Sequence, residues 1–400
     1  MLVGVLPISY LVLLTALRIV NLVPTTCTCC VFAYLDVSIL VVEMQGTTQI
    51  VPVAYNKEDF SSCGPLHLTS IDWNDPEHRR SVAACLVHGV YILERDRQFG
   101  RQGPAALAPP WWEYFHFKLL RKLVDDADLS IFGAVFQYHA PHFHRSLDRC
   151  PPYVIAFRGT IRKGECAKRD IEMDLSIVRN RLHETSRFEI GIQTVRNIAA
   201  SVGDSNLWLA GHSLGAAMAL LAGKTMAKQG DSIQTFLFNS PFLAAPLESI
   251  KHKQVKHGIR IATSVITAGL ALAAKRTLQS PDPFAALSDW VPHLFVNPSD
   301  HICAEYIGYF EHRKKMDDIG IGAIGRLATQ NSVSSSLAKA LTGKESEPLH
   351  LIPSALVVVN SSHAPDFRVA HGIHQWWKPD QQLVSKLYRY RNSVSHRLEA

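Results

Sequence analysis

The eighteen residues NLWLAGHSLGAAMALLAG, Asn206 to Gly223, constrain this chain more than any other stretch. An apolar run of strand length, Asn206 to Ala210, leads into a run of helix length, Leu214 to Gln229, rich in Ala, Leu and Met and closed by Gly230. A polar turn would normally join two such elements, yet the junction reads Gly211, His212, Ser213, Leu214, Gly215. G-x-S-x-G between a strand and a helix is the pattern of a strained turn that lifts a serine hydroxyl above a sheet edge, with glycines where side chains would clash. Alone the pentapeptide says little, because 23 glycines in 400 residues allow it to arise by chance. Its strand-and-helix setting separates Ser213 from a serine that merely caps a helix. A nucleophile there needs a base, an acid and two oxyanion donors from the rest of the chain.

Composition narrows the field. At 47% hydrophobic and 19% charged the chain is globular rather than disordered, and its length suits a large α/β domain. A net charge of +6, from 41 basic and 35 acidic residues that are dispersed, gives nucleic-acid binding no support and at most favours an anionic lipid surface. Of eight cysteines only Cys27 and Cys30 form C-x-x-C, with no second pair to complete a zinc site. His139, His142 and His144 in HAPHFH have no spacing that aims all three at one ion, so the segment reads as a solvated loop. No metal or organic cofactor is implied.

Residues 1–43 differ from the rest. The first 42 carry only Arg18 and Asp36, which leave two uncharged runs of 17 residues, at the lower edge of what spans a bilayer. No charge precedes Arg18, and Pro7 and Pro24 interrupt the pattern, unlike a secretory signal. Two expectations stand for this leader. One is a membrane anchor, to which acylation of Cys27, Cys29 and Cys30 would add; the other is a segment dispensable for the fold, leaving a cytoplasmic protein.

Ordinary globular sequence begins near Phe60. Asn74 or Asp75 caps a helix that has Pro76 in its first turn and Val82, Leu86, Val90 and Leu93 on one face. WWEYFHFKLLRKLVDDA predicts a second helix and LSIFGAVFQY a strand. Tyr153 to Phe157 is a buried strand, with Arg158, Gly159 and Thr160 at its C-terminal end, where ligand groups of open α/β sheets gather.

At this point the chain resembles the fungal-type, or class 3, lipases, which carry an F-R-G-[ST] strand end and a G-H-S-L-G elbow. Phe157 to Thr160 and Gly211 to Gly215 match both. The resemblance spans about Asp128 to Trp377. It implies an α/β-hydrolase fold over residues 60–392, a mostly parallel central sheet with helices on both faces. It also implies an oxyanion role for Thr160; the Leu214 N–H at the helix start is the other natural donor. Asp174 fits the family's acidic position after this strand and reads as structural. Asn239, Ser240 and Pro241 depart from the F-G-x-P-R-V-G of many members, which aligns the chain with the divergent plant branch.

The acid must follow the next parallel strand, since the order in this fold is Ser, acid, His. Asp300 in LFVNPSDHIC competes with Asp289 in SDWVPHL; Asp300 is preferred because a β-branched and aromatic run leads directly to it. After the last strand, LHLIPSALVVVN, come His363, His371 and His374. His371 best matches the family's Ala-His before an aromatic, with His374 in reserve; Trp376 and Trp377 read as apolar packing beside it.

Residues 246–290 form an insertion ahead of the acid. Its basic lead-in includes Lys251, Lys253, Lys256 and Arg260, and Ile261 to Ala274 is fourteen residues without a charge, too short to cross a bilayer. A buried helix and a mobile lipid-facing lid are the two readings. Glu311 to Asp318 and the Gly/Ser-rich stretch after it read as a surface excursion. The expected function is hydrolysis of carboxylic esters, above all acyl lipids, by Ser213, His371 and Asp300. A catalytically silent regulatory or lipid-binding protein, and an acyltransferase or thioesterase, are the alternatives.

Overall fold

Eight strands form one sheet in chain order: β1 (Phe117–Val124), β2 (Ile131–Tyr138), β3 (Tyr153–Phe157), β4 (Leu207–His212), β5 (Gln234–Phe238), β6 (His293–Val296), β7 (Ala355–Asn360) and β8 (Leu383–Tyr388). β3 through β7 are parallel, and β1, β2 and β8 run antiparallel to their neighbours. The computed structural model describes residues 58–139, 149–162, 164–178, 181–242, 284–318 and 349–390, all within one unit, Asn56–Ala400. Residues 1–43 and nearly all of the 246–290 insertion, with its uncharged stretch and its four basic residues, lie outside the described residues, as do His142 and His144. Among the described residues no helix is long and apolar enough to cross a membrane, and no group of three metal-ligating side chains is placed to hold an ion.

Six helices matter for the site: α1 (Pro76–Gln98), α2 (Ala167–Val178), α3 (Ser186–Val202), α4 (Leu214–Ala227), α5 (Glu305–Asp318) and α6 (Phe367–His371). Parallel strands that step one way across a sheet, joined by right-handed crossovers, must all send those crossovers over the same face. Accordingly α2, α3, α4 and α5 pack with Ile155, Leu207, Leu209, Leu237, Leu294 and Val357 in one core. The opposite face must be covered by chain from outside the crossovers. It is: α1, Trp111, Trp112, Trp376 and Trp377 pack on Val154, Trp208, Phe236, Phe238, Phe295 and Val358. Two-residue alternation within fully buried strands thus divides each strand between two cores.

α1 begins where its sequence dictates. Asp75 caps it by accepting the Glu77 N–H, with Pro76 as first residue. The expected second helix is a correction. Only Pro110–Glu113 is helical, and Phe117–Val124 is an edge strand paired with β2. His116, at φ 62, breaks the helical path, and Lys118, Arg121 and Lys122 suit a charged edge as well as a helix face. Glu311 to Asp318 is likewise no excursion but the end of α5, anchored by buried Tyr306, Tyr309 and Phe310 just before it. The strand containing Val357 is not the last. β8 follows, an edge strand whose exposed Val384 and Leu387 hide the apolar pattern of a core strand.

Candidate active site

All five parallel strands end on the same edge, so the residues that follow them converge. β4 ends at His212, and Ser213 adopts φ 55 and ψ −123 before α4 starts at Leu214. Such a backbone costs on the order of 1–3 kcal/mol and needs its surroundings to hold it. The Ser213 N–H donates to the Phe238 carbonyl at 3.0 Å, and the Ser213 carbonyl accepts from Ala216 and Ala217 at 2.9 and 3.1 Å. Side chains are excluded at both flanking glycines: a Cβ on Gly211 would strike the Gly215 backbone, and one on Gly215 the carbonyls of Phe157 and Arg158. The turn therefore packs α4 directly on the end of β3.

β6 delivers the carboxylate. Asp300 is fully buried, its N–H donates to the Asn297 carbonyl at 3.0 Å, and its Oδ1 accepts the Ile302 N–H at 3.0 Å. β7 delivers the imidazole through a short loop, where Asp366 caps α6 and His371 is its final residue. His371 Nδ1 lies 2.9 Å from Asp300 Oδ2, and Nε2 lies 3.0 Å from Ser213 Oγ. An ionised carboxylate can only accept, so Nδ1 carries the proton and Nε2 offers its lone pair to the serine hydroxyl. Burial pushes the Asp300 carboxyl up, but the His371 charge and hydrogen bonds from His371, Asn239 and Cys303 outweigh it and hold the acid below its ordinary value. Phe367 stacks on the His371 ring at 5.3 Å and 12°, which limits its rotation.

The end of β3 lies beside the elbow, where a Cβ on Gly159 would meet the Ser213 side chain. Thr160 Oγ1 donates to Asp174 on α2, 2.9 Å from each carboxylate oxygen. Its single hydroxyl proton is committed there, which leaves the Thr160 N–H as the group that can serve an oxyanion. The Leu214 N–H, first in α4, has no partner within its own helix. Burial raises the Asp174 carboxyl to about 6 despite the Thr160 hydrogen bond.

A relay of neutral groups joins the three loops. The Gly159 N–H donates to the Tyr91 hydroxyl oxygen at 2.7 Å, Tyr91 Oη lies 2.8 Å from His212 Nδ1, and His212 Nε2 lies 2.7 Å from the His371 carbonyl. A carbonyl only accepts, so His212 is protonated at Nε2 and Tyr91 donates to Nδ1. Burial and the neighbouring His371 charge lower the His212 imidazole to about 3, so it stays neutral beside a ring that can become cationic.

Ser213, His371, Asp300, Thr160 and Leu214 are thus brought together. Asp289 is exposed and precedes β6, at the opposite end of the strand from Asp300. His374 packs against His88 and Trp377, with ring centroids 4.5 and 5.1 Å away, instead of reaching Ser213. His363 lies in the loop after β7, and none of the hydrogen bonds around Ser213 and Asp300 involves it. Trp376 and Trp377 are packed as read, and each also spends its indole N–H, on Asn239 and on the Cys63 carbonyl. Residue patterns alone did not reveal Tyr91, Cys303, Gln375 or Asn239. Gln375 accepts from Asn297 at 2.8 Å and donates to the Gly372 carbonyl at 3.1 Å, tying the β6 turn to the His371 loop. Asn239 carried one signal, the departure from the family pattern.

A strained serine between a parallel strand and a helix, lined up with an imidazole and a carboxylate from later strands, defines an α/β-hydrolase-type site. Residues 187–246 match the family model described as lipase (class 3). A GDSL esterase/lipase of Arabidopsis thaliana is 57% identical over 350 residues, which cover 84% of this chain and 99% of that protein. The chain belongs to the class 3 lipase-like family. A crystal structure of a lipase from Rhizopus microsporus var. chinensis overlaps at a TM-score of 0.27 and 16% identity, over 50% of this chain and 67% of that one. Gly-Asp-Ser-Leu is absent from this sequence; its two Gly-Asp-Ser tripeptides place Ser205 and Ser232 just before β4 and β5, at the strand ends away from Ser213.

Proposed function

We propose that this protein hydrolyses carboxylic esters of acyl lipids, with Ser213 as nucleophile, His371 as general base and acid, and Asp300 as the group that orients the imidazole. The observation that carries this reading is the hydrogen-bonded line from Ser213 Oγ through His371 to Asp300, at 3.0 and 2.9 Å, on a strained elbow. Ser213 Oγ attacks the ester carbonyl as its proton passes to His371 Nε2. The N–H groups of Leu214 and Thr160 receive the developing oxyanion. His371 returns the proton to the leaving alcohol, and water repeats the sequence on the acyl-enzyme. This chemistry needs neither a metal nor an organic cofactor. The acyl-lipid substrate is supported by the class 3 lipase match and by the esterase/lipase name of the plant relative.

Fluorophosphonate labelling tests the assignment. Wild-type protein takes up one label at Ser213, and Ser213→Ala loses both label and ester hydrolysis, whereas Ser205→Ala and Ser232→Ala behave as wild type. A label that persists in Ser213→Ala removes Ser213 from the mechanism. Unlabelled enzyme that passes the acyl group of an ester to an added alcohol faster than to water points instead to acyl transfer.

A further inference from the structure

The turn after β5 holds a residue whose side chain touches both the acid and the base loop. Asn239 is fully buried and has φ 50, in the left-handed region that asparagine tolerates better than most residues with a side chain. Its Nδ2 donates to Asp300 Oδ2 at 2.7 Å and to the Ala370 carbonyl at 3.1 Å, and its Oδ1 accepts from Trp376 Nε1 at 2.7 Å. An indole N–H can only donate, while carbonyl and carboxylate oxygens can only accept, so a flipped amide would break all three contacts. Asp300 Oδ2 also accepts from His371 Nδ1 at 2.9 Å and from Cys303 Sγ at 3.1 Å. One carboxamide therefore meets the oxygen that holds His371 and the backbone one residue before His371.

We infer that Asn239, locked by Trp376, is a positioning residue for the reaction: it sets Asp300 Oδ2 against His371 Nδ1 and ties the acid loop to the base loop. This rests on the triad reading proposed above. Trp376 acts one step further out, by fixing which end of the amide faces the acid. The titratable groups around the centre include His371, His212, His374, Tyr91, Cys303 and Asp174, and none of them is altered in the variants that test Asn239.

The experiment is the pH dependence of kcat and kcat/KM on a soluble ester, with the rate of fluorophosphonate labelling, for Asn239→Gly, Asn239→Asp and Trp376→Phe beside Ser213→Ala and Asp300→Asn. Glycine satisfies the backbone and removes only the amide, so Asn239→Gly should lower kcat and the labelling rate about ten- to a hundredfold, the scale of one hydrogen bond to a charged group. KM should stay within about twofold. Asn239→Asp keeps the shape but places a second carboxyl at the 2.7 Å contact with Asp300. The two carboxyls there titrate as a coupled pair, and once both are ionised the second negative charge favours the imidazolium, so the acid limb of kcat/KM should move to higher pH by about one unit. Trp376→Phe should act in the direction of Asn239→Gly, more weakly. Asn239→Gly and Asn239→Asp that lose thermal stability but keep the wild-type kcat and pH profile would reduce Asn239 to packing. Full activity in Ser213→Ala or Asp300→Asn would overturn the triad reading itself, and the two failures are told apart by which variants remain active.

Discussion

Two buried aspartate centres face each other in kind. Around Asp170 and Asp125 the partners are guanidiniums: Arg158 and Arg187 reach Asp170 at 2.7 and 2.6 Å, and Arg187 and Arg169 reach Asp125 at 2.6 and 2.9 Å. Arginine is charged at every relevant pH, so both carboxylates are compensated permanently. Around Asp300 the partners are an amide, a thiol, a backbone N–H and one imidazole. Its negative charge is hydrogen-bonded yet lacks a permanent counter-charge, and only a protonated His371 supplies one. Permanent pairing pins β3 to α2 and α3; conditional pairing leaves a charge that, in the proposed mechanism, answers the proton His371 takes from Ser213. A buried carboxylate thus declares its role by the kind of partner it keeps, more than by its depth.

The largest expected effect separates the centres through chemistry. Asp300→Asn should lower kcat about ten-thousandfold, as loss of the correct tautomer does in a triad, while leaving a folded protein. Asp289→Asn should match wild type. Hydrolysis of a soluble chromogenic ester decides between them, and a greater loss at Asp289 would relocate the acid.

The next effect is on stability. Arg187→Met leaves Asp125 and Asp170 each short of a buried cation, which should cost about 3–5 kcal/mol in urea unfolding, whereas activity per folded molecule falls far less than in Asp300→Asn. An unchanged urea midpoint would show that the arginine-paired centre is not what holds these elements together.

The smallest effect concerns Asp174, which stands between the two centres with a hydroxyl for its partner. Its carboxyl is raised to about 6 from an ordinary 3.8, so the folded state favours the protonated form. That contribution is fully present below pH 3.8 and is lost as pH rises through about 6. Asp174→Asn removes the titration. The unfolding free energy of wild type minus that of the variant should therefore fall between pH 4 and 7, by about 1–2 kcal/mol once partial exposure is allowed for. A difference that is flat or rising with pH would place Asp174 with the paired carboxylates.

Much of the site was legible because its signals are local. A strand, five residues and a helix suffice to mark Ser213, since the tight turn forbids side chains at Gly211 and Gly215. Asp300 follows from the run that becomes β6, and chain order in the fold then selects a histidine after β7. Phe117–Val124 misled because Leu119, Leu120 and Leu123 satisfy a helical repeat about as well as an edge strand, and pairing with β2 decided the matter. β8 escaped notice for a related reason, its outward side chains being exposed at the sheet margin.

The sequence by itself determined the elements that short-range physics controls: the Asp75 cap and Pro76 start of α1, the buried strands β3 and β4, and the elbow between β4 and α4. It also set the order in which the candidate residues Ser213, Asp300 and His371 occur along the chain. Only the tertiary structure decided which donors surround the acid, because Asn239 meets Asp300 across 61 residues and is itself held by Trp376, 137 residues further along the chain than Asn239. The same holds for Tyr91 and His212, 121 residues apart. Hydrogen-bond direction, tautomer and charge balance belong to atoms that meet only when the sheet edge is assembled, and no periodicity within one segment can encode them.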